Sequence, residues 1–196
     1  MKKYFLLLFL FLSCASFAGD LPADKARGVF ISFGVGPRLP LADFGNNSTL
    51  GYGLNAEISY TDNDYLPVFL FLRAGYEQFA GSQDFYKVTE YSNFSTSAVP
   101  LNLGVRYYFA PLLENVVLFM PVVEISASCC FFQKLNEFKP TSGKVNYTEN
   151  NTKLGVSAGV GVSMFLMEIL ATYNYYQTNQ YVGIDLRVRL PLFISY

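Results

Sequence analysis

The side chains able to do chemistry in this chain are mostly ions that recur at every second position of apolar stretches. Glu57, Arg73, Arg106, Glu124, Glu168, Asp185, Arg187 and Arg189 each sit between apolar neighbours, and Glu77 and Lys153 have one on one side. Five are acids and five are bases, so the chemistry open to them is mutual pairing away from water. Acid–base catalysis has little to draw on. The chain has no histidine, and a serine nucleophile needs a nearby base. Phosphate loops, paired catalytic carboxylates and metal-ligand clusters do not stand out in the sequence, and no cofactor is expected. Of the cysteines, Cys129 and Cys130 are adjacent. Neighbours in a strand point to opposite faces, so both read as small apolar fillers.

The elements that hold these ions are strands. Period-two alternation marks eight segments, at 28–36, 51–60, 67–79, 98–109, 116–132, 153–164, 167–177 and 182–196, parted by Gly, Pro, Asn, Asp and Ser. In the last, Val182, Ile184, Leu186, Val188, Leu190, Leu192, Ile194 and Tyr196 share one face, with Asp185, Arg187 and Arg189 on the other. The second sets Tyr52, Leu54, Ala56, Ile58 and Tyr60 against Asn55 and Glu57; the third sets Val68, Leu70, Leu72, Ala74 and Tyr76 against Arg73 and Glu77. The fifth is apolar on both faces, and only Glu124, Ser126 and Ser128 mark its polar side. All ten ions fall on one set of faces, and the opposite set carries no charge. A charge facing lipid near the midplane of a barrel costs about 2–4 kcal/mol. The empty faces therefore predict contact with hydrocarbon, and the charged faces predict a lumen that also takes in Phe30, Phe69, Phe71, Tyr108, Phe132, Tyr176 and Phe193.

Composition agrees with a membrane barrel. The 196 residues are 52% hydrophobic and 17% aromatic, with a net charge of −1. That balance offers nothing to nucleic acid. High hydrophobicity without a second long apolar run leaves strands as the means of crossing a bilayer. The links after the second, fourth and sixth segments are short, and those after the first, third and fifth are long, at 37–50, 80–97 and 133–152. This predicts short periplasmic turns and longer extracellular loops, with an even strand number. The last link, 178–181, is short for an outer loop. Tyr60, Tyr107, Phe109 and Tyr196 would form one aromatic girdle, and Tyr76, Tyr173 and Tyr175 the other.

The first residues are read separately. Met1, Lys2 and Lys3 precede an apolar run through Leu12, followed by small residues at Ser16 and Ala18. This pattern predicts a signal peptide over residues 1–18 and a barrel domain over 19–196. Cleavage after Ala18 is the first reading. The run Phe11, Leu12, Ser13, Cys14 also resembles a lipoprotein signal, with lipidation at Cys14 as the alternative.

Two further features carry a family resemblance. Gly28 to Gly36, followed by Pro37, Arg38, Leu39, Pro40, Leu41, Ala42, Asp43, Phe44 and Gly45, is similar to the glycine-rich first hairpin of many small outer-membrane barrels. Leu192, Ile194 and Tyr196 resemble the terminal signal that the outer-membrane insertion machinery reads. The chain thus resembles the porin-like, OmpA–OmpX type of eight-stranded barrel. The resemblance implies an all-β, antiparallel, up-and-down transmembrane barrel in the bacterial outer membrane, surrounded by its lipids. The expected role is non-enzymatic, structural or surface-interacting, with an extracellular ligand possible at loops 80–97 and 133–152. The alternative is an OmpW-like narrow conduit for small apolar solutes, for which Leu118, Met120 and Val122 would be the lining. Barrel enzymes that modify lipid use histidine with serine and an acid, which this chain does not offer.

Overall fold

The computed structural model describes residues 27–62, 66–112 and 119–195. The expected export segment, Cys14, Leu118 and Tyr196 lie outside them. Eight antiparallel strands follow in chain order: β1 (Arg27–Leu41), β2 (Gly51–Asp62), β3 (Leu66–Ala80), β4 (Tyr91–Tyr108), β5 (Phe119–Phe138), β6 (Tyr147–Met164), β7 (Met167–Tyr176) and β8 (Asn179–Ser195). Each pairs with the next, and β1 pairs with β8, closing an up-and-down barrel. Two six-residue helices lie in the outer connections, α1 (Ala42–Asn47) after β1 and α2 (Gln83–Val88) after β3.

Burial alternates as the period-two pattern requires. In β2 every second residue from Gly51 to Thr61 is buried and those between are exposed. The exposed set is the apolar one, including Leu54, Ile58, Leu72, Leu103, Ile125, Val160 and Leu186. This inverts a water-soluble barrel, in which such residues would face inward. Cys129 and Cys130 are free thiols on opposite faces, the first half-buried and the second buried.

Several boundaries differ from the sequence expectation. β4 starts at Tyr91, β5 runs to Phe138 and β6 starts at Tyr147, so much of what read as loop at 80–97 and 133–152 is strand. There the chain is polar on both faces and shows no alternation, yet a continuous ladder pairs Ser95 with Leu135 and Leu135 with Thr148. β1 likewise continues through Pro37 to Leu41, with Pro37 exposed and opposite Tyr52. The link expected at 178–181 is a turn of Gln177 and Thr178 between the paired Tyr176 and Asn179. Phe193, expected in the lumen, is 63% exposed. The β1–β8 register shifts there, passing from Val29 opposite Phe193 to Phe30 opposite Pro191, and so breaks the alternation.

Candidate functional site: a lumen filled at three levels

The middle of the lumen holds the ions. Glu57 on β2 accepts from Arg73 on β3 (Nη2 2.8 Å) and from Arg106 on β4 (Nη1 2.8 Å, Nη2 2.7 Å). Glu124 on β5 accepts from the same two arginines, at 2.8 Å from Arg73 and 2.7 Å from Arg106. Two carboxylates on β2 and β5 thus enclose two guanidiniums on β3 and β4, and each carboxylate contacts both guanidiniums. Arg187 on β8 approaches this square, 3.4 Å from Glu57 and 3.4 Å from Asp185. Asp185 in turn accepts from Arg38 (2.8 Å), which also donates to Glu77 (2.7 Å). Below the square, Arg189 pairs with Glu168 (3.0 Å), and Tyr108 donates to the same carboxylate (2.5 Å). Every ion in this set is buried. Burial strips water from each charge, and only close opposite charges repay that.

The membership departs from expectation at one position. Lys153 donates to Thr178 Oγ1 (2.7 Å) and Asn179 Oδ1 (2.6 Å), at the mouth, not to a carboxylate. It stands too high on β6 to reach the midplane, opposite the turn that opens β8. Arg38, which read as part of a loop, takes its place. The network therefore closes on five arginines (38, 73, 106, 187 and 189) and five carboxylates (57, 77, 124, 168 and 185). A signal for Arg38 was present: continued alternation from Gly28 puts even positions inward, and Pro37 obscured it.

An apolar plug closes the lumen above the ions. Phe44 of α1 folds over the mouth and meets Phe79 edge-on, with ring centroids 4.8 Å apart. Phe79 contacts Tyr181, Tyr181 stacks with Tyr176, and Tyr176 meets Phe132, with Ala98 and Cys130 in the same cluster. Tyr176 is also hydrogen-bonded to Ser128. Helix α1 carries no alternation pattern, so nothing in the sequence marked Phe44 as a plug residue.

A second plug lies at the lower end. The Arg189 guanidinium packs against the rings of Tyr108 (5.0 Å to the centroid), Phe69 (5.3 Å) and Phe30 (6.0 Å). Phe69 also meets Phe30 and Tyr108 directly. These are the aromatics expected inside, and cation–π contact strengthens where water is excluded. Between the ion clusters lies a small polar cavity bordered by Arg38, Asn55, Arg73, Glu77, Asn102 and Asp185. Met120 is half-buried and Val122 fully buried on the inward face of β5.

Outside, between the Arg27–Asp62 pair at the inner rim and the projecting tips, the outward register of the described strands carries no Asp, Glu, Lys or Arg. Tyr52, Tyr60, Tyr76, Tyr173 and Tyr175 stand exposed toward its two ends. The barrel is the same type as known structures. Neisserial surface protein A shares the fold with a TM-score of 0.53 and 16% identity, over 85% of this chain and 99% of that one. The chain has the fold of the small eight-stranded outer-membrane barrels. More distant matches are Ail, the attachment invasion locus protein of Yersinia pestis (TM-score 0.44, 11% identity, 85% and 99% covered), and the N-terminal barrel domain of Pseudomonas aeruginosa OprF (0.45, 12%, 85% and 100%). No protein-family model matches the sequence, and no curated protein matches it.

Proposed function

We propose that this chain is an integral barrel of the bacterial outer membrane with a structural and surface-interaction role, and that it neither conducts solutes freely nor catalyses a reaction. The observation that carries this is the filling of the lumen at three levels, by the Phe44–Phe79–Tyr181 plug, the ten paired ions and the Arg189–aromatic cluster. An eight-stranded barrel is just wide enough for side chains to fill. Each interior carboxylate of the network is held by arginine, which leaves none as a base, and the chain has no histidine to replace one.

The surface role falls to the projecting ends of β4, β5 and β6 and to α2. Tyr91 stacks on Phe138 at 4.7 Å and on Phe85 at 5.2 Å, and Lys144 lies 5.5 Å above the Phe138 ring. Lys139 Nζ ties α2 to this sheet through the carbonyls of Tyr86 and Thr89, each at 2.9 Å. An ordered aromatic and polar surface on a rigid scaffold suits recognition. Leu192 and Ile194 face outward on β8, where insertion machinery could read them together with Tyr196. The test is conductance of the purified barrel in a planar bilayer. Closed behaviour, with at most rare small openings, is expected; steady conductance on the scale of a large porin overturns the reading.

A further inference from the structure

The two ends of β7 are closed by turns of the same backbone type and opposite chemistry. At the outer end, Gln177 and Thr178 join the paired Tyr176 and Asn179. At the inner end, Phe165 and Leu166 join the paired Met164 and Met167. In both, the first turn residue has a positive φ, +46° at Gln177 and +56° at Phe165. Water-exposed two-residue hairpins put Gly, Asn or Asp in such a position, because a side chain there is strained. Phe165 combines that strain with 77% exposure, and Leu166 beside it is 37% exposed. In water this turn would gain nothing from either side chain.

The surroundings say which medium offsets that cost. β7 has ten residues, or about 33 Å along the strand at ~3.3 Å per residue. The usual tilt of 35–45° reduces this to about 25 Å of height, the thickness of an outer-membrane apolar band. With Tyr173 and Tyr175 at the outer girdle, Met167 lies at the inner hydrocarbon edge, and the turn continues the exposed belt of Ile169, Met167 and Val160 without a break. The described residues of the adjoining rim next to this turn are apolar as well. Phe119 pairs with Met164, and Leu112, which donates to the Phe119 carbonyl, is exposed. Across the ring the rim is ionic, where Arg27 pairs with Asp62. The Leu166 carbonyl accepts from the Arg189 amide (2.8 Å), which suits a place where water is scarce.

We propose that the turn of Phe165 and Leu166 is inserted into the inner-leaflet boundary between acyl chains and headgroups, so that this side of the barrel sits deeper in the membrane than the β1–β2 side. The proposal rests on the membrane reading above, and its occupant is phospholipid.

Three single-cysteine variants in a background lacking Cys14, Cys129 and Cys130, each carrying an environment-sensitive fluorophore, test it in phosphatidylcholine vesicles with and without brominated acyl chains. Leu72→Cys reports the belt, Gln177→Cys the outer turn and Phe165→Cys the inner turn. The proposal expects blue-shifted emission and bromine quenching at 72 and 165, with water-like emission and no quenching at 177. Quenching at 72 with water-like emission at 165 overturns the inserted turn and leaves the membrane reading standing. No quenching at 72 overturns both. A blue shift at 165 without bromine quenching would mean a protein contact, and also overturns it. A second measurement needs no label: Phe165→Gly removes the backbone strain yet should lower the urea midpoint in vesicles. A raised midpoint would place the turn in water.

Discussion

Removing one carboxylate from the centre of the lumen tests whether the ions are desolvated. Glu57 is buried and touches Arg73, Arg106, Arg187 and Arg189. In Glu57→Gln the shape is kept, but five arginines face four carboxylates, and an amide group now points at guanidinium donors. Breaking a buried pair from one side costs about 3–5 kcal/mol. The low end applies here, because Arg73 and Arg106 retain Glu124 at 2.8 Å and 2.7 Å. A loss of about 3 kcal/mol, at ~2 kcal/mol per molar urea, moves the midpoint down by about 1.5 M. The chain has no tryptophan, so circular dichroism and heat-modifiable gel migration are the readouts, in vesicles under reversible conditions. Glu57→Gln combined with Arg106→Gln restores the charge balance, and should cost less than the sum of the two single changes by about 1 kcal/mol or more. The exposed pair of Lys87 with Asp84 on α2 is the control, and Lys87→Gln should change stability by well under about 1 kcal/mol. If Glu57→Gln matches its parent within about 0.5 kcal/mol, or if the two single changes simply add, water reaches the ions and the filled-lumen reasoning fails.

Two further outcomes follow from particular contacts. Arg38→Met takes from Glu77 its arginine, leaves Asp185 with Arg187 and Asn55, and should cost about 3 kcal/mol, whereas Lys153→Met gives up only hydrogen bonds at the mouth and should cost about 1 kcal/mol; the opposite order in urea unfolding would contradict the placement of both residues. Gly36 lies where β1 closes on β8, and a Cβ there would sit inside contact distance of the Ile184 carbonyl oxygen. Gly36→Ala should therefore abolish the heat-modifiable folded band, while Gly75→Ala, with its nearest neighbour at 3.1 Å, should keep it.

How much of this was legible depended on whether two media or one touch a strand. Where one face meets hydrocarbon and the other the lumen, residue types must alternate, and Leu54 against Glu57 or Leu186 against Arg187 shows the register directly. Beyond the apolar band the outward positions of β4, β5 and β6 are polar as well, so Ser95, Lys134 and Thr148 carry no alternation of residue type and read as loop, although their ladder is intact. Proline hid Arg38 for a different reason. A missing N–H forbids a central ladder position only if that N–H points at a partner, and a local reading of the sequence does not show its direction. Phe44 was beyond any periodic signal, because a side chain on a short loop helix reaches the lumen only once the strands have closed beneath it.

The exchange of Lys153 for Arg38 shows what the lumen selects. A planar guanidinium can serve two carboxylates in fixed directions, and all five bases of the buried network are arginines. The lysine, whose charge is compact and strongly hydrated, stands at the mouth, bonded to a hydroxyl and an amide. Counting charges on the inward register found the right balance with one wrong member, because alternation reports the face a residue occupies and not its height along the barrel. Height is set by the pairing of each strand with its neighbours. That same pairing puts the turn of Phe165 and Leu166 at the end of the apolar band, so the depth of Lys153 and of that turn are two readings of one register, between β6 and β7.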